Sequence, residues 1–288
     1  MKTRNVLVAR SLLFVPANRP DRYLKALESG ADIACLDMED AVSMNDKALA
    51  RKSAAQFFSL PAPPDLTKAL RINSLATLDG LRDILWIKDS GVNPDLLLLP
   101  KVTGQRDIDC LNLLMREIGI PCPILAIIET AEGLENAAQI ALSPNVAGLC
   151  FGSADYTAET GSTMDWDSLA YGRGRVVQAA ARSGILALDG AWLNFRDKEG
   201  LLAESRRLPA LGFDGRVVIH PAQIQGVHAA FAPSASEIER AQKIMTLAEQ
   251  SEGGASAING LMVDRPVILQ AERVLERAKR GSPDRGSA

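Results

Sequence analysis

The stretch "ILAIIETAEGLENAAQIA", residues 124–141, carries the pattern that decides the fold. Ile124 to Ile128 form a short apolar run rich in β-branched residues. Glu129 stands where that run ends, and the residues after it carry apolar positions at helical spacing. A strand that is apolar at every position, rather than at alternate ones, suits a parallel sheet covered on both faces. Similar runs recur along the chain: "SLLFV" (11–15), "IACLD" (33–37), "ALRI" (69–72), "DLLLL" (95–99), "AGLCF" (147–151), "ILAL" (185–188) and "RVVIH" (216–220). Between them lie amphipathic stretches such as "DRYLKALESG" (21–30), "LDGLRDILWIKDSG" (78–91) and "ESRRLPALG" (204–212), each closing on a glycine suited to end a helix. Eight such strand and helix alternations predict an α/β fold, a TIM (β/α)8 barrel. The open doubly wound sheet is the alternative, but no GxGxxG turn follows the first strand.

After His220 the pattern becomes helical, over 222–232 and 236–253, followed by a strand-like "SAINGLMVDRP" and a last helix over 266–280. The expected organisation is therefore a barrel over 1–221, a C-terminal helical extension over 222–280 and a disordered tail over 281–288. "PAPPD" (61–65) reads as an internal loop.

With 288 residues and 47% hydrophobic content, the chain has enough apolar surface for a large core. Its 32 basic and 35 acidic residues are mixed along the sequence and leave a formal charge of −3, so no basic stripe tracks nucleic acid. No apolar run approaches the roughly 20 residues that cross a bilayer, and the first residues lack a cleavage-site pattern, which together point to a cytoplasmic protein with no membrane partner. Cys35, Cys110, Cys122 and Cys150 form no CxxC pair and read as buried, reduced thiols.

Barrels of this class place their chemistry where the strands end. The polar residues at those positions are Asp37, Glu39 and Asp40 after the second strand, Arg71 and Asn73 at the third, Lys101 after the fourth, Glu129 after the fifth and Asp155 after the sixth. Carboxylates crowded in one mouth repel each other unless a cation neutralises them, and a few hard oxygen ligands suit Mg²⁺. Glu129 and Asp155 are the candidate metal ligands, with Asp37, Glu39 and Asp40 as groups that orient them or hold water. The plain alternatives are a helix-terminal charge for Glu129 and a turn residue for Asp155. Strand alternation turns Arg71 away from Leu70 and Ile72 and toward the mouth, where its planar fork suits a substrate carboxylate or an enolate oxygen; a structural ion pair is the alternative. Lys101 and His228 read as surface residues, and His220 as a loop-fixing one.

"RSLLFVPANRPDRYLKAL", "DIACLDMEDAV", "LRINS", "LLLLPKV", "IIETAEGLENAAQIA", "GLCFGSADYTAETG", "GFDGRVVIHPAQI" and "INGLMVDRPVILQA" resemble, in this order, the citrate lyase β-subunit-like group of the HpcH/HpaI aldolase superfamily. The resemblance implies a TIM barrel, a homotrimer, Mg²⁺ at Glu129 and Asp155, a substrate carboxylate held at Arg71 and an acyl-CoA or acyl-carrier thioester as substrate. It also implies that Asp264 lies on a C-terminal lid closing over a neighbouring subunit, where it would transfer a proton. The bland reading of Asp264 is a cap on the last helix. Arg19 and Arg216 are candidates for the coenzyme A phosphates. Tyr156, Ser74 and Arg216 depart from the commoner family wording, which leaves the oxo acid open.

The implied activity is a Mg²⁺-dependent carbon–carbon lyase that cleaves a 3-hydroxy-3-carboxyacyl-CoA, such as (S)-citramalyl-CoA or malyl-CoA, to acetyl-CoA and pyruvate or glyoxylate. The alternatives are a citrate lyase β subunit working on a citryl thioester of an acyl carrier protein, and a non-catalytic CoA-binding barrel.

Overall fold

In the computed structural model, which describes residues 8–250, 256–258 and 261–281, eight parallel strands close into a barrel. They are β1 (Ser11–Pro16), β2 (Ile33–Asp37), β3 (Thr67–Arg71), β4 (Leu96–Leu99), β5 (Ile124–Ile128), β6 (Val146–Phe151), β7 (Leu186–Asp189) and β8 (Gly215–Val218). Each neighbours the next in sequence, and β8 returns to β1. All eight expected runs coincide with a strand to within two residues at either end.

Alternation along the strands sorts the side chains into an inner and an outer set. The inner set is Leu12, Ile33, Cys35, Ala69, Leu96, Leu98, Leu125, Ile127, Cys150, Leu186, Leu188 and Val217, with Phe14 packed against it. One further inward step reaches Asp37 on β2, Arg71 on β3, Glu129 just past β5 and Gly152 just past β6. The apolar filling is thus capped at the C-terminal end by a polar layer. Asp37 and Arg71 are register partners, so the two charged residues meet across adjacent strands.

The outer set packs on helices, among them Lys47–Ser59, Leu78–Ser90, Gln105–Glu117 and Trp166–Ser183. Thr77 caps the second of these by accepting from the Gly80 N–H, and Asp165 caps the last by accepting from the Asp167 and Ser168 N–H groups. The stretch expected as one helix over 204–212 instead contains the end of Lys198–Ser205 and the separate turn Leu208–Leu211, because Pro209 cannot continue the preceding helix. Cys35, Cys122 and Cys150 are buried as expected, but Cys110 is exposed on the outer face of its helix.

Between the barrel wall and the helices Trp166–Ser183 and Lys198–Ser205 lies a buried polar cluster. Arg173 pairs with Asp189 through both prongs of its fork, at 3.1 and 3.0 Å, and Arg216 reaches the same carboxylate at 3.3 Å. Both arginines also donate to Glu204 at 3.0 Å, and Arg216 donates to Ser205 Oγ at 2.9 Å and to the Gly190 carbonyl. This overturns the expectation that Arg216 meets coenzyme A phosphates. It points outward from β8, its side chain is 1% exposed, and two carboxylates already neutralise it together with Arg173.

The chain divides into two compact units, residues 1–227 and 228–288. In the second, Ala241 and Ile244 of the helix Ala235–Gln250 and Ala271 of Arg265–Gly281 share a core with Val263 of the strand Leu261–Val263, which pairs antiparallel with Ser256–Ile258. Residues 282–288, most of the expected tail, lie outside the described residues. No helix among the described residues is long and apolar enough to cross a membrane.

Candidate active site

The polar layer is organised around two cations. Arg71 donates from Nε to Asp37 Oδ1 at 2.7 Å and from Nη2 to Asp37 Oδ2 at 2.5 Å, and its Nη1 lies 2.9 Å from Glu39 Oε2. Its guanidinium stacks over Phe14 at 4.2 Å from the ring centre, which fixes the plane of the fork. Burial acts to lower the Arg71 pKa, but the neighbouring charges of Asp37 and Glu39 outweigh it and raise it, so the group stays cationic. The fork expected to suit a substrate carboxylate or an enolate oxygen thus holds Asp37 through Nε and Nη2, an ion pair of the kind named as the alternative. With Asp37 and Glu39 counted, Nη1 and Nη2 each keep one further proton by valence.

Lys101, read from sequence as a surface residue, is the second cation. Its Nζ donates to Glu39 Oε1 at 3.0 Å and lies 3.7 Å from both Asp40 Oδ1 and Asp155 Oδ1. Its backbone N–H donates to Glu129 Oε1 at 2.7 Å. The ends of β2, β4, β5 and β6 thus meet around one residue. The signal available in sequence was position: Lys101 follows β4 as Glu129 follows β5, and only the length and flexibility of a lysine suggested solvent.

Asp37, Glu39, Asp40, Glu129 and Asp155 therefore face Arg71 and Lys101, five carboxylates against two cations. The imbalance shows on Glu129. It is 3% exposed, and burial first, then the charges of Asp155 and Glu39, push its pKa up to about 8. Glu39 is raised as well, by burial first, against the opposing pull of Arg71. A positive charge added beside Glu129 and Asp155 would reverse this trend and favour the ionised forms.

Room for the Glu129 carboxylate comes from Gly152. A Cβ at that position would sit 2.4 Å from Glu129 Cβ and 2.5 Å from Oε2, so any side chain there would displace the acid. Asp155 projects from the first turn of the helix Ser153–Thr160 that begins immediately after. The Lys101 loop is held by a second close approach, since a Cβ on Gly133 would lie 2.2 Å from the Val102 carbonyl oxygen. Asn136 also donates to the Thr103 carbonyl at 2.8 Å.

Among the described residues no three carboxylate, imidazole or thiolate groups converge as a closed metal cage. Two hard carboxylates, one buried and one half-exposed, instead fit a divalent cation that keeps water or substrate oxygens in its remaining positions, as Mg²⁺ does. Arg19 lies outside this cluster, exposed and paired with Asp21 at 2.8 and 2.7 Å. His220 accepts from the Ala222 N–H through Nδ1 and stacks on Phe195 at 5.1 Å, a loop-fixing arrangement. Asp264 belongs to the second unit, where its carbonyl accepts from the Ile268 N–H and its Oδ1 from the Val267 N–H at 3.3 Å, the geometry of a helix cap.

The HpcH/HpaI aldolase/citrate lyase family model matches residues 10–221, and a second, described as a C–C bond lyase of the TIM-barrel fold, matches residues 170–280. The citrate lyase subunit beta of Haemophilus influenzae is 33% identical over 285 residues, spanning 94% of this chain and 97% of that protein. A (3S)-malyl-CoA thioesterase of Cereibacter sphaeroides is 33% identical over 275 residues, 94% of each chain. Among solved structures, CitE of Mycobacterium tuberculosis in complex with magnesium, acetoacetate and coenzyme A superposes with a TM-score of 0.81 at 34% identity, covering 94% of this chain and 98% of that one.

Proposed function

This chain belongs to the HpcH/HpaI aldolase/citrate lyase family, and from that membership and the acid-rich barrel mouth we propose a Mg²⁺-dependent cleavage of a 3-hydroxy-3-carboxyacyl-CoA. The class is that of a carbon–carbon lyase. The substrate type is a malyl-CoA or citramalyl-CoA, giving acetyl-CoA and glyoxylate or pyruvate. The observation that carries this reading is the charge imbalance around Glu129 and Asp155 in the same mouth as the buried Arg71. The CitE structure containing magnesium and coenzyme A supports the same reading by similarity.

Glu129 and Asp155 hold the metal. Bound there, Mg²⁺ supplies Lewis-acid polarisation of the substrate's hydroxyl and carboxylate oxygens. Arg71, held between Phe14 and Asp37, offers its remaining Nη protons to the substrate carboxylate or to the thioester oxygen as charge develops on it. Transfer of the hydroxyl proton to solvent water at the open mouth lets the adjacent carbon–carbon bond break. Its electron pair moves into the thioester as an enolate, and the oxo acid leaves. The enolate carbon then takes a proton to become acetyl-CoA. We assign that proton to Asp264, delivered by closure of the C-terminal segment over the site of a neighbouring subunit.

A steady-state screen of malyl-, citramalyl- and citryl-CoA with Mg²⁺, following oxo acid and free thiol separately, tests the reading. Oxo acid and acetyl-CoA released in equal amounts support it. Free coenzyme A without oxo acid would indicate thioester hydrolysis alone. Activity restricted to an acyl-carrier-bound citryl group would favour the citrate lyase β role, for which the Haemophilus influenzae relative speaks. Asp264→Asn still caps a helix but transfers no proton, so near-normal thermal stability is expected with turnover reduced by about 10²-fold or more. Mixing it with an Arg71 variant restores part of the activity if the lid works between subunits; full activity of the asparagine variant alone returns Asp264 to capping.

A further inference from the structure

Lys101 has backbone φ of 54°, one of two left-handed non-glycine residues among those described. Glycine or asparagine would occupy such a conformation more easily, so backbone preference does not account for a lysine there. The surroundings fix the conformation instead. The backbone N–H is held by Glu129, the Val102 carbonyl lies against Gly133 beyond β5, and Thr103 N–H and Oγ1 are bound by Asp107 at 2.8 and 3.1 Å. The side chain is thereby delivered to a point where its ammonium meets carboxylates from two other strand ends, Glu39 and Asp40 beyond β2 and Asp155 beyond β6. Burial acts against the charge on Lys101, but Glu39, Asp40 and Asp155 raise its pKa beyond the usual lysine range.

We propose that Lys101 is a resident counter-cation of the mouth, holding the acid cluster together in the metal-free protein and opposing the entry of a divalent cation at Asp155. The proposal rests on the metal assignment to Glu129 and Asp155. In the metal-free chain the ammonium partly neutralises Glu39, Asp40 and Asp155, which would otherwise repel one another beside the buried Glu129. When a divalent cation reaches Asp155, the ammonium withdraws toward Glu39, its nearest partner at 3.0 Å. Lys101 is thus a positioning residue that sets how tightly the metal binds.

Calorimetric titration of MgCl₂ into the full-length wild type, Lys101→Met and Lys101→Arg, at low ionic strength and without substrate, tests this. Methionine keeps the stem and backbone demand of lysine without the charge. Removal of the competing charge is expected to tighten Mg²⁺ binding by about tenfold, while the arginine variant stays near wild type. The melting temperature of Lys101→Met without metal falls below wild type, and Mg²⁺ raises it by a larger increment. Lys101→Gln replaces the methionine variant if that one does not fold. Unchanged or weaker Mg²⁺ binding in the uncharged variant, with normal binding in wild type, overturns the role of Lys101 and leaves the metal site standing. Absence of Mg²⁺ binding in every protein overturns both.

Discussion

Two clusters of basic residues and carboxylates are built on different strands of the same barrel, and they differ in charge balance. On the outer face of β7 and β8, Arg173 and Arg216 share Asp189 and Glu204, so two cations balance two acids, and Ser205 and the Gly190 carbonyl take up further donors. At the mouth, Arg71 and Lys101 face five acids, and Glu129 is left with its pKa pushed up to about 8. A balanced, desolvated cluster between barrel and helices ties those layers together. An unbalanced one at the strand ends is a site prepared for a cation that the chain itself does not supply. The difference separates an arginine that stabilises the fold from one that serves chemistry, although both are buried and both pair with an aspartate.

The largest expected effect is on catalysis at the unbalanced cluster. Asp155→Asn removes one of only two charged ligands, and turnover is expected to fall by about 10³-fold, the loss of several kcal/mol of metal-assisted charge stabilisation. Steady-state kinetics with saturating Mg²⁺ measures it, and near-normal turnover would place the metal elsewhere.

Arg71→Lys sharpens the comparison from the other cation. A lysine keeps the charge but cannot hold Asp37 through two bonds while presenting further N–H groups to substrate, so a loss of about 10²-fold in turnover is expected. Wild-type kinetics would reduce Arg71 to the kind of ion pair formed by Arg216.

At the balanced cluster the sign of the experiment reverses. Arg216→Met leaves Asp189 and Glu204 sharing Arg173 alone, and breaking a fully buried pair of this kind costs about 3 kcal/mol of stability. Denaturant unfolding shows the loss, while turnover of the folded fraction stays at the wild-type value. A fall in turnover with unchanged stability would restore Arg216 to coenzyme A binding.

The barrel was legible because its strands are apolar on both faces, so that "ILAII" and "LLLL" announce themselves without any knowledge of their partners. Residues at the ends of those runs were legible too, since Glu129, Asp37 and Arg71 continue the inward alternation by one step. What sequence left open was phase and reach. Arg216 lies in a run as apolar as the others, and which face it takes is settled only by Asp189, its register partner on the neighbouring strand. Lys101 lies past the end of β4, where alternation no longer applies, and its direction comes from a left-handed turn held by Glu129, 28 residues away in sequence. Gly152 gave no sign of itself, because its contribution is the absence of a side chain opposite a carboxylate.

The account stands most directly on whether the imbalance at the mouth is a metal site. Calorimetric titration of Mg²⁺ into wild type and Glu129→Gln, with thermal melts of both metal-free proteins, addresses it. The expected result is saturable one-site binding in wild type, at least about tenfold weaker binding in the variant, and a metal-free melting temperature that does not fall, because glutamine replaces an acid whose charged form burial and two neighbouring acids already disfavour. Equal Mg²⁺ affinity in the two proteins, or no binding in wild type, would contradict it.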